Sequence, residues 1–387
     1  MDRTPLVVFC HLRWNSVFQR PHHVMTRLAR RRPVLFVEEP VHHEGPAELE
    51  VTEVHPNLRV MQPRLDAQGP GFGAAQHRVL LTGLRSWLDD EGWCEFDAWT
   101  YTPMAVRLAR ALGPVSLIYD CMDELSAFRH APKELVEREA ELLQHADHVF
   151  TGGPSLYRMK QALHPSVHCF PSSVDAGHFA MARHVSDAPD QAALPRPRLG
   201  FFGVVDERMD LEILDALASR RPEWQIVMVG PIVKIDPATL PQYPNLHYVG
   251  QRGYDDLPGY LAGWDVCLMP FALNEATRFI SPTKVLEYMA ADRPIVSTPI
   301  ADVAEPYGDI VYLGHGATRF VAACDRAFAA SDAGRKRRQA LARQVLASTS
   351  WDHTVRRMEQ ILDGGATALE RVARFGLTAR APHGVPV

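Results

Sequence analysis

The sequence predicts an α/β protein made of two doubly wound parallel-sheet domains that face one another across a cleft. Three observations carry that prediction. At 387 residues the chain is too long for one ordinary core and has room for two domains of roughly 100–200 residues each. Short apolar runs of strand length alternate with amphipathic stretches of helix length. The alternation fails once, between Phe179 and Arg198, and then restarts.

Taken in order, Pro5 to His11 (PLVVFCH) reads as a buried strand, LRWNSVFQRPHH as a polar-aromatic loop, HVMTRLARR as a helix and PVLFVEEP as a second strand. Such a strand–loop–helix–strand unit opens a parallel sheet, because parallel neighbours need a crossover between them. Further strands are expected at FDAWTYT, VSLIYD, HVFTGG and VHCFPS, with TPMAVRLARALG and PKELVEREAELLQHAD as helices between them. The stretch MARHVSDAPDQAALPRPR is rich in Pro, Ala and Asp and reads as an interdomain linker. Beyond it RLGFFG, WQIVMVG, LHYVG, DVCLMPF, RPIVSTP and DIVYLG read as strands, and MDLEILDALASRRP, LPGYLAGW and SPTKVLEYMAA as helices. SWDHTVRRMEQIL is an amphipathic closing helix with Ser350 as its N-cap, and the tail TARAPHGVPV is expected to be mobile.

The expected division is a Rossmann-like amino-terminal domain at 1–182, a linker at 183–197, a Rossmann-like carboxyl-terminal domain at 198–349, and the closing helix with its tail at 350–387. Ligands of open parallel sheets sit at the carboxyl ends of the strands, so two facing sheets can hold two substrates in one crevice.

Composition narrows the class. With 46% hydrophobic and 22% charged residues and a net charge of −5, the chain is globular and has no bulk affinity for nucleic acid. Its six cysteines are scattered, with no CxxC, as in reduced thiols of a cytoplasmic protein. The apolar start, Leu6 to Cys10, has strand length and not signal-peptide length, and no run approaches the ~18–20 apolar residues of a membrane span. No metal site is expected: the 18 histidines show no ligand spacing, and DDE at Asp89 and DERMD at Asp206 lack convergent partners. Neither half carries GxGxxG after its first strand, which disfavours a dehydrogenase.

The segment Asn274 to Pro299, NEATRFISPTKVLEYMAADRPIVSTP, carries the most chemistry. Ser281 suits an N-cap and Pro282 the first helical position, which leaves the amides of Thr283 and Lys284 free to meet an anion. A lysine in a first turn opposes the helix dipole, so Lys284 makes sense if a diphosphate lies there. Glu287, one turn on and on the same face, suits a bidentate hydrogen bond to two ribose hydroxyls. The bland alternative is a solvated lysine–glutamate pair on an ordinary helix.

This segment resembles the donor-binding signature of retaining GT-B glycosyltransferases (glycosyltransferase group 1, family 4-like), in which two glutamates separated by seven residues precede a small-residue helix and a GxPVV strand. Glu287 matches the second glutamate and AADRPIVSTP the following turn and strand. Phe279 stands where the first glutamate would be, and Glu275, four residues earlier, serves only if the loop bulges. The SPTKxxEY form is similar to that of enzymes of bacterial surface polysaccharides. LGFFGVVDERMDLEIL resembles the entry to the family's donor domain, with Gly203 letting backbone approach the phosphates and Arg208 as a phosphate clamp; a surface salt bridge is the alternative for Arg208. NLHYVGQRGYDDLPGYLAGWDVCLMPF resembles the nucleobase region, with Gln251 and Arg252 meeting the base edge largely through backbone. CFPSSVDAGHF resembles the crossover into the linker, and SWDHTVRRM the terminal helix that crosses back to the first domain.

The resemblance implies that the amino-terminal half holds the acceptor. In HLRWNSVFQRPHH, Trp14, Phe18, His22 and His23 offer a stacking face for a sugar and Arg20 a hold on an anionic group; a structural Arg20 and a helix-start His22 are the alternative. In LIYDCMDELSAF, Asp120 and Asp123 follow a strand, where acid groups point into the crevice. Asp123 is the first candidate to deprotonate the acceptor hydroxyl if configuration inverts, and Asp120 the second; under retention both orient the acceptor. An N-cap is the alternative role for Asp123.

The leading expectation is metal-independent transfer of a sugar from a nucleotide diphosphate-sugar, UDP-linked, to a saccharide or polyprenyl-linked acceptor of surface polysaccharide synthesis. No cofactor beyond that donor is expected, the leaving diphosphate being stabilised by Lys284, Arg208 and helix N-termini. Whether configuration is retained or inverted stays open. The basic runs Arg27–Arg32 and Arg335–Arg338 could lean on anionic lipid at the inner face of the membrane, or be ordinary solvated helix faces. Two other classes share the donor pocket: a sugar-nucleotide 2-epimerase, and a non-catalytic nucleotide-sugar-binding protein, which Phe279 would favour.

Overall fold

The computed structural model describes residues 3–66, 71–129 and 131–364; the tail stretch TARAPHGVPV lies outside the described residues. The first sheet holds nine strands: β1 Leu6–Cys10, β2 Val34–Glu38, β3 Val41–His42, β4 Glu48–His55, β5 Leu58–Leu65, β6 Asp97–Thr100, β7 Leu117–Cys121, β8 His148–Thr151 and β9 Val167–Cys169. Their order is β3-β5-β2-β1-β6-β7-β8-β9, with β4 paired antiparallel to β5. The second sheet holds six parallel strands: β10 Arg198–Phe202, β11 Gln225–Val229, β12 Leu246–Gly250, β13 Val266–Met269, β14 Ile295–Ser297 and β15 Tyr312–Leu313, in the order β12-β11-β10-β13-β14-β15.

Central strands such as β1 (LVVFC), β7 (LIYDC) and β10 (RLGFF) are buried at every residue. Burial on both faces is what a parallel sheet sandwiched between helices requires, and it is why these strands read as continuous apolar runs. The strand order reverses beside β1 in one sheet and beside β10 in the other, where the loops diverge and a crevice opens.

Three features differ from expectation. The hairpin β4–β5 and the helix Ala74–Asp90 lie in a stretch for which the sequence reading offered no element. Strand β4 (ELEVTEVH) is mostly solvent-facing and glutamate-rich, a composition that blunts a sheet edge and hides the strand from any search for apolar runs. The segment 183–197 is no free tether. The side-chain amide of Gln191 donates to the Tyr260 carbonyl at 2.9 Å and its oxygen accepts from the Trp264 indole at 3.0 Å, so the segment is laid along helix Leu257–Gly263.

Helix Trp351–Gly364 packs Trp351, Val355 and Met358 into the same apolar cluster as Leu6 and Val8 of β1 and Val24, Met25 and Leu28 of helix Arg20–Leu28. Ser350 caps it, accepting the His353 amide at 3.1 Å. The basic run Arg27–Arg32 turns out to serve this docking. Arg27 and Arg30 pair with Asp352 at 3.3 and 2.9 Å, Arg31 with Glu359 at 3.2 Å, and Arg32 with Asp97 at 3.3 Å and Asp363 at 3.5 Å. The guanidiniums of the run thus meet carboxylates of the closing helix, with Arg30 and Arg31 remaining more than half exposed. No helix among the described residues is long and apolar enough to cross a membrane.

Candidate active site

A cleft opens between the carboxyl ends of the two sheets. From the carboxyl-terminal domain it is lined by Gly203, Arg208, Gln251, Arg252, Ser281, Thr283, Lys284 and Glu287, together with Phe201, Gly230, Tyr254 and Ile280. From the amino-terminal domain it is lined by Phe18, Arg20, Met122, Asp123 and Ser172. All eight residues expected at the donor site thus share one wall of one cleft.

The local reason is two glycine turns. Gly203 follows β10 at φ +137°, and a Cβ there would lie 2.2 Å from Lys284 Cε; Gly230 follows β11 at φ +145°, and its Cβ would lie 1.9 Å from the Gly203 carbonyl oxygen. Only glycine fits either place, and the absence of side chains lets the lysine lie across the turn. Lys284 Nζ sits 5.8 Å from the centre of the Phe201 ring, and no carboxylate stands within ion-pair distance of it among the described residues. Burial pulls its pKa below the ordinary lysine value, and Arg208 nearby adds to this.

Arg208 is held by Asp206, Nε reaching both carboxylate oxygens at 2.9 and 3.1 Å and Nη2 one of them at 2.8 Å, with the Phe128 ring 5.7 Å from its carbon. The salt bridge offered as the alternative is real, and it aims the arginine into the cleft instead of leaving it on the surface. Glu287 lies beside Lys284. Burial pushes its carboxyl up to about 7, against the pull of Lys284, and its Oε2 is shielded from solvent without a hydrogen-bond partner.

The expected cap geometry needs correction. Ser281 does not cap a helix: helix Lys284–Ala290 starts later, with Thr283 as its flanking residue and no side-chain cap. The first amides to bond, those of Leu286 and Glu287, both donate to the Thr283 carbonyl, at 2.9 and 3.1 Å. Pro282 disfavours helical backbone at Ser281, which is why the start slips past it. With seven residues this helix has a small dipole, so the positive field at the turn comes mainly from Lys284 and Arg208.

Gln251 is exposed at the rim. Arg252 turns its guanidinium outward, donating to the Tyr260 hydroxyl, the Gln251 carbonyl and Asp190 at 2.8, 2.9 and 2.8 Å. Phe279, in the place of a first glutamate, packs against the amino-terminal core with the Arg278 guanidinium 5.1 Å above its ring. Glu275 is exposed, pairs with Arg278 at 3.6 Å and is not part of the cleft lining, so the loop does not bulge to bring it in.

The amino-terminal candidates divide. Asp123 lines the cleft, its carboxyl pushed up to about 6 by burial while Arg208, Arg20 and Lys284 pull the other way. It caps no helix; the short 3-10 turn that follows is flanked by Glu124. Asp120, by contrast, is wholly buried and closed on Arg20, Nε at 3.1 Å to both its oxygens and Nη2 at 2.8 Å to one. Arg20 Nη1 donates to the Phe170 carbonyl at 2.7 Å. Asp120 as a base is therefore corrected, and Arg20 reaches the cleft only with an edge already fixed by its partners.

Trp14, His22 and His23 do not line the cleft. His22 accepts the Gln19 amide at 3.0 Å and its Nε2 meets the Trp14 carbonyl at 2.7 Å, which makes it part of the helix start. Trp14 rests on Phe36, ring centres 5.1 Å apart, and His23 stacks on Trp351 at 4.7 Å. Burial pulls His23 down to about 3. His23 thus braces the crossover helix, while Trp14 and His22 fix the loop and the helix start. Phe18, from the same loop, does face the cleft and meets Tyr254 of the other domain at 4.8 Å. Tyr254 and Gly230 are lining residues that sequence reading did not assign; the glycine ending IVMVG and the aromatic two positions after Arg252 were the available signals.

Among the described residues no group of three or more His, Cys, Asp or Glu side chains could hold a metal ion.

Residues 196–331 match the profile of the family Glycosyl transferases group 1. The chain is 25% identical over 234 residues to TuaH of Bacillus subtilis (strain 168), named for teichuronic acid biosynthesis as a glycosyltransferase; the match covers 54% of this chain and 58% of that one, less than two thirds of its length. Among solved structures, a sucrose-phosphate synthase (tll1590) from Thermosynechococcus elongatus superposes with a TM-score of 0.64 at 16% identity, covering 94% of this chain and 99% of that one. Anabaena Alr3699/HepE in complex with UDP and glucose superposes with a TM-score of 0.65 at 14% identity, covering 94% and 100%. The fold is GT-B, as in these solved structures.

Proposed function

We propose that the protein moves a sugar from a nucleotide diphosphate-sugar, UDP-linked, to a saccharide or polyprenyl-linked saccharide of surface polysaccharide synthesis, without a metal ion. The observation that carries this reading is the meeting of Lys284, with no carboxylate partner, and Arg208, aimed by Asp206, at the Gly203–Gly230 turn. Two cations at a turn stripped of side chains suit a diphosphate, and Glu287 beside them suits the ribose hydroxyls. The acceptor oxygen attacks the anomeric carbon, the bond from that carbon to the diphosphate oxygen breaks, and Lys284 and Arg208 stabilise the charge that gathers on the leaving group.

Asp123 is the acid group on the acceptor side. With its carboxyl near 6 it is ionised at neutral pH and basic enough to take the acceptor proton if configuration inverts. If configuration is retained, it orients the hydroxyl. The anomeric configuration of the product, read by NMR, decides between these. The relatives' names favour neither the epimerase nor the non-catalytic reading. UDP in the Anabaena complex and teichuronic acid in the Bacillus relative's name support the donor and the polymer class. A cytoplasmic place, with contact at the membrane's inner face for a lipid-linked acceptor, belongs to the same proposal.

The test is calorimetric titration of UDP into the native protein and into Lys284→Ala and Glu287→Ala. Both variants should bind UDP more weakly, and unchanged affinity in both would refute the donor site.

A further inference from the structure

The second basic run, Arg335–Arg338, lies on helix Asp332–Ala347. A helix laid on a sheet normally presents an apolar stripe at spacings of three and four. Here that stripe is Leu341, Ala342, Val345 and Leu346, packed toward helix Lys284–Ala290, while Arg335, Arg338 and Gln339 stand on the polar first half of the helix, Arg335 at its exposed rim. Beneath them lies a cavity of about 490 Å³ walled by Met289, Ile295, Ile310 and Phe328. It sits at the amino ends of β13, β14 and β15, the opposite edge of the sheet from the cleft.

Its charges are poised and incompletely met. The Arg338 guanidinium stacks over Tyr312 at 4.2 Å, and the Nε atoms of Arg338 and Arg293 are shielded from solvent with no acceptor among the described residues. Arg335 is hooked to the Ala330 and Phe328 carbonyls at 2.9 and 3.3 Å, which fixes its position at the rim. Four arginines (Arg196, Arg293, Arg335 and Arg338) line the cavity against two carboxylates, Asp265 and Asp292, and Asp265 is taken by Arg196. Arg293 Nη2 is tied to the Ala262 carbonyl at 3.0 Å, and guanidiniums fixed in this way by stacking and carbonyl contacts, in excess over carboxylates, suit an oxyanion of high charge, with the apolar wall below them suiting a hydrocarbon body.

We propose that this cavity binds a phosphate monoester carrying a small apolar body, at a site separate from the cleft. The seven-residue helix Lys284–Ala290 runs between the two, with Lys284 and Glu287 in the cleft and Met289 in this cavity wall.

Calorimetry with octyl phosphate, inorganic phosphate and 1-octanol tests it on the full chain. Octyl phosphate should saturate a single site and bind at least about tenfold more tightly than either fragment, since both halves of the cavity contribute. Arg338→Gln and Arg293→Gln should each weaken it by about tenfold, while UDP affinity stays at the native value. Arg335→Gln, at an exposed rim position, is the variant least able to disturb folding and should act in the same direction. Sedimentation with phosphatidic acid vesicles separates the sources: arginine-dependent pelleting assigns a lipid headgroup, and octyl phosphate binding without pelleting assigns a soluble ester. The proposal is overturned by three results: no saturable octyl phosphate binding, binding indifferent to all three arginine variants, or binding abolished by Lys284→Ala, which would move it to the cleft.

Discussion

The two walls of the cleft carry similar charged groups in opposite states. On the amino-terminal wall Arg20 and Asp120 are closed on each other in the interior, with the remaining arginine donor on the Phe170 carbonyl. On the carboxyl-terminal wall Lys284 has no carboxylate within ion-pair distance among the described residues, and Arg208 is gripped along one edge only. A charge pair sealed inside defines shape, because both members would be costly to bury alone. A cation pinned beside open space retains its field for something that arrives. The comparison explains why Asp123 and not its neighbour three residues earlier is open to a ligand: it borders the cleft, whereas Asp120 is closed on Arg20.

The sharpest way to break this contrast is to remove one carboxylate at a time. Asp123→Asn should lower the rate of sugar transfer by about 10²–10⁴-fold under inversion, with no loss of stability to urea, because the neutral amide is relieved of the burial cost of the charge. Asp120→Ala should instead lose about 3–5 kcal/mol of stability, because it strands a buried guanidinium. Equal stability losses in both would erase the distinction. Next in size, Lys284→Ala should weaken UDP binding by about 2–4 kcal/mol, roughly 30- to 1,000-fold, as expected for a desolvated charge pair across an interface. Calorimetry reads this directly. Gly203→Ala should weaken UDP binding by about 1–3 kcal/mol, through a left-handed backbone and a methyl driven against the lysine, with helix content by circular dichroism unaltered.

The last effect concerns pH. The carboxyl of Glu287 is raised from 4.5 to about 7 and that of Asp123 from 3.8 to about 6, in both cases chiefly by burial. Between those values the folded chain holds protons that the unfolded chain has already released. Stability from these groups is therefore greatest in acid and declines as pH rises from about 4 to about 7. Urea unfolding of the ligand-free protein at pH 5 and pH 8 should show the decline, and Glu287→Gln should flatten it. A steeper decline in that variant would contradict the burial argument.

The carboxyl-terminal wall of the cleft was largely legible in the sequence, and the amino-terminal wall was not. Gly203 and Arg208 lie on the loop after β10, and Lys284 and Glu287 on the helix after its sheet neighbour β13, each following a strand whose apolar run is plain, so strand-end position almost suffices to gather them. Their fine geometry was less legible: the helix begins beyond Ser281, and Arg252 faces outward, because capping and guanidinium direction depend on neighbours such as Pro282, Asp190 and Tyr260. The loop holding Trp14, Arg20, His22 and His23 reads equally well as a sugar platform or as packing. Only the helix beginning at Trp351, arriving from the far end of the chain, turns its aromatics inward.

The sequence by itself determined the strand and helix alternation, the two-sheet architecture, the closing helix with its serine cap, and the grouping of Gly203, Arg208, Lys284 and Glu287. These rest on periodicity, turn chemistry and strand-end position, which near neighbours in the chain dictate. Tertiary structure alone decided that the Arg27–Arg32 run is a docking face for Asp352, Glu359 and Asp363, that Phe279 seals the amino-terminal core, that the edge strand Glu48–His55 pairs at all, and that Asp120 is structural. Each of those outcomes depends on a partner distant in sequence, and a side chain's role as ion pair, plug or ligand is set by what packing brings within a few ångströms of it.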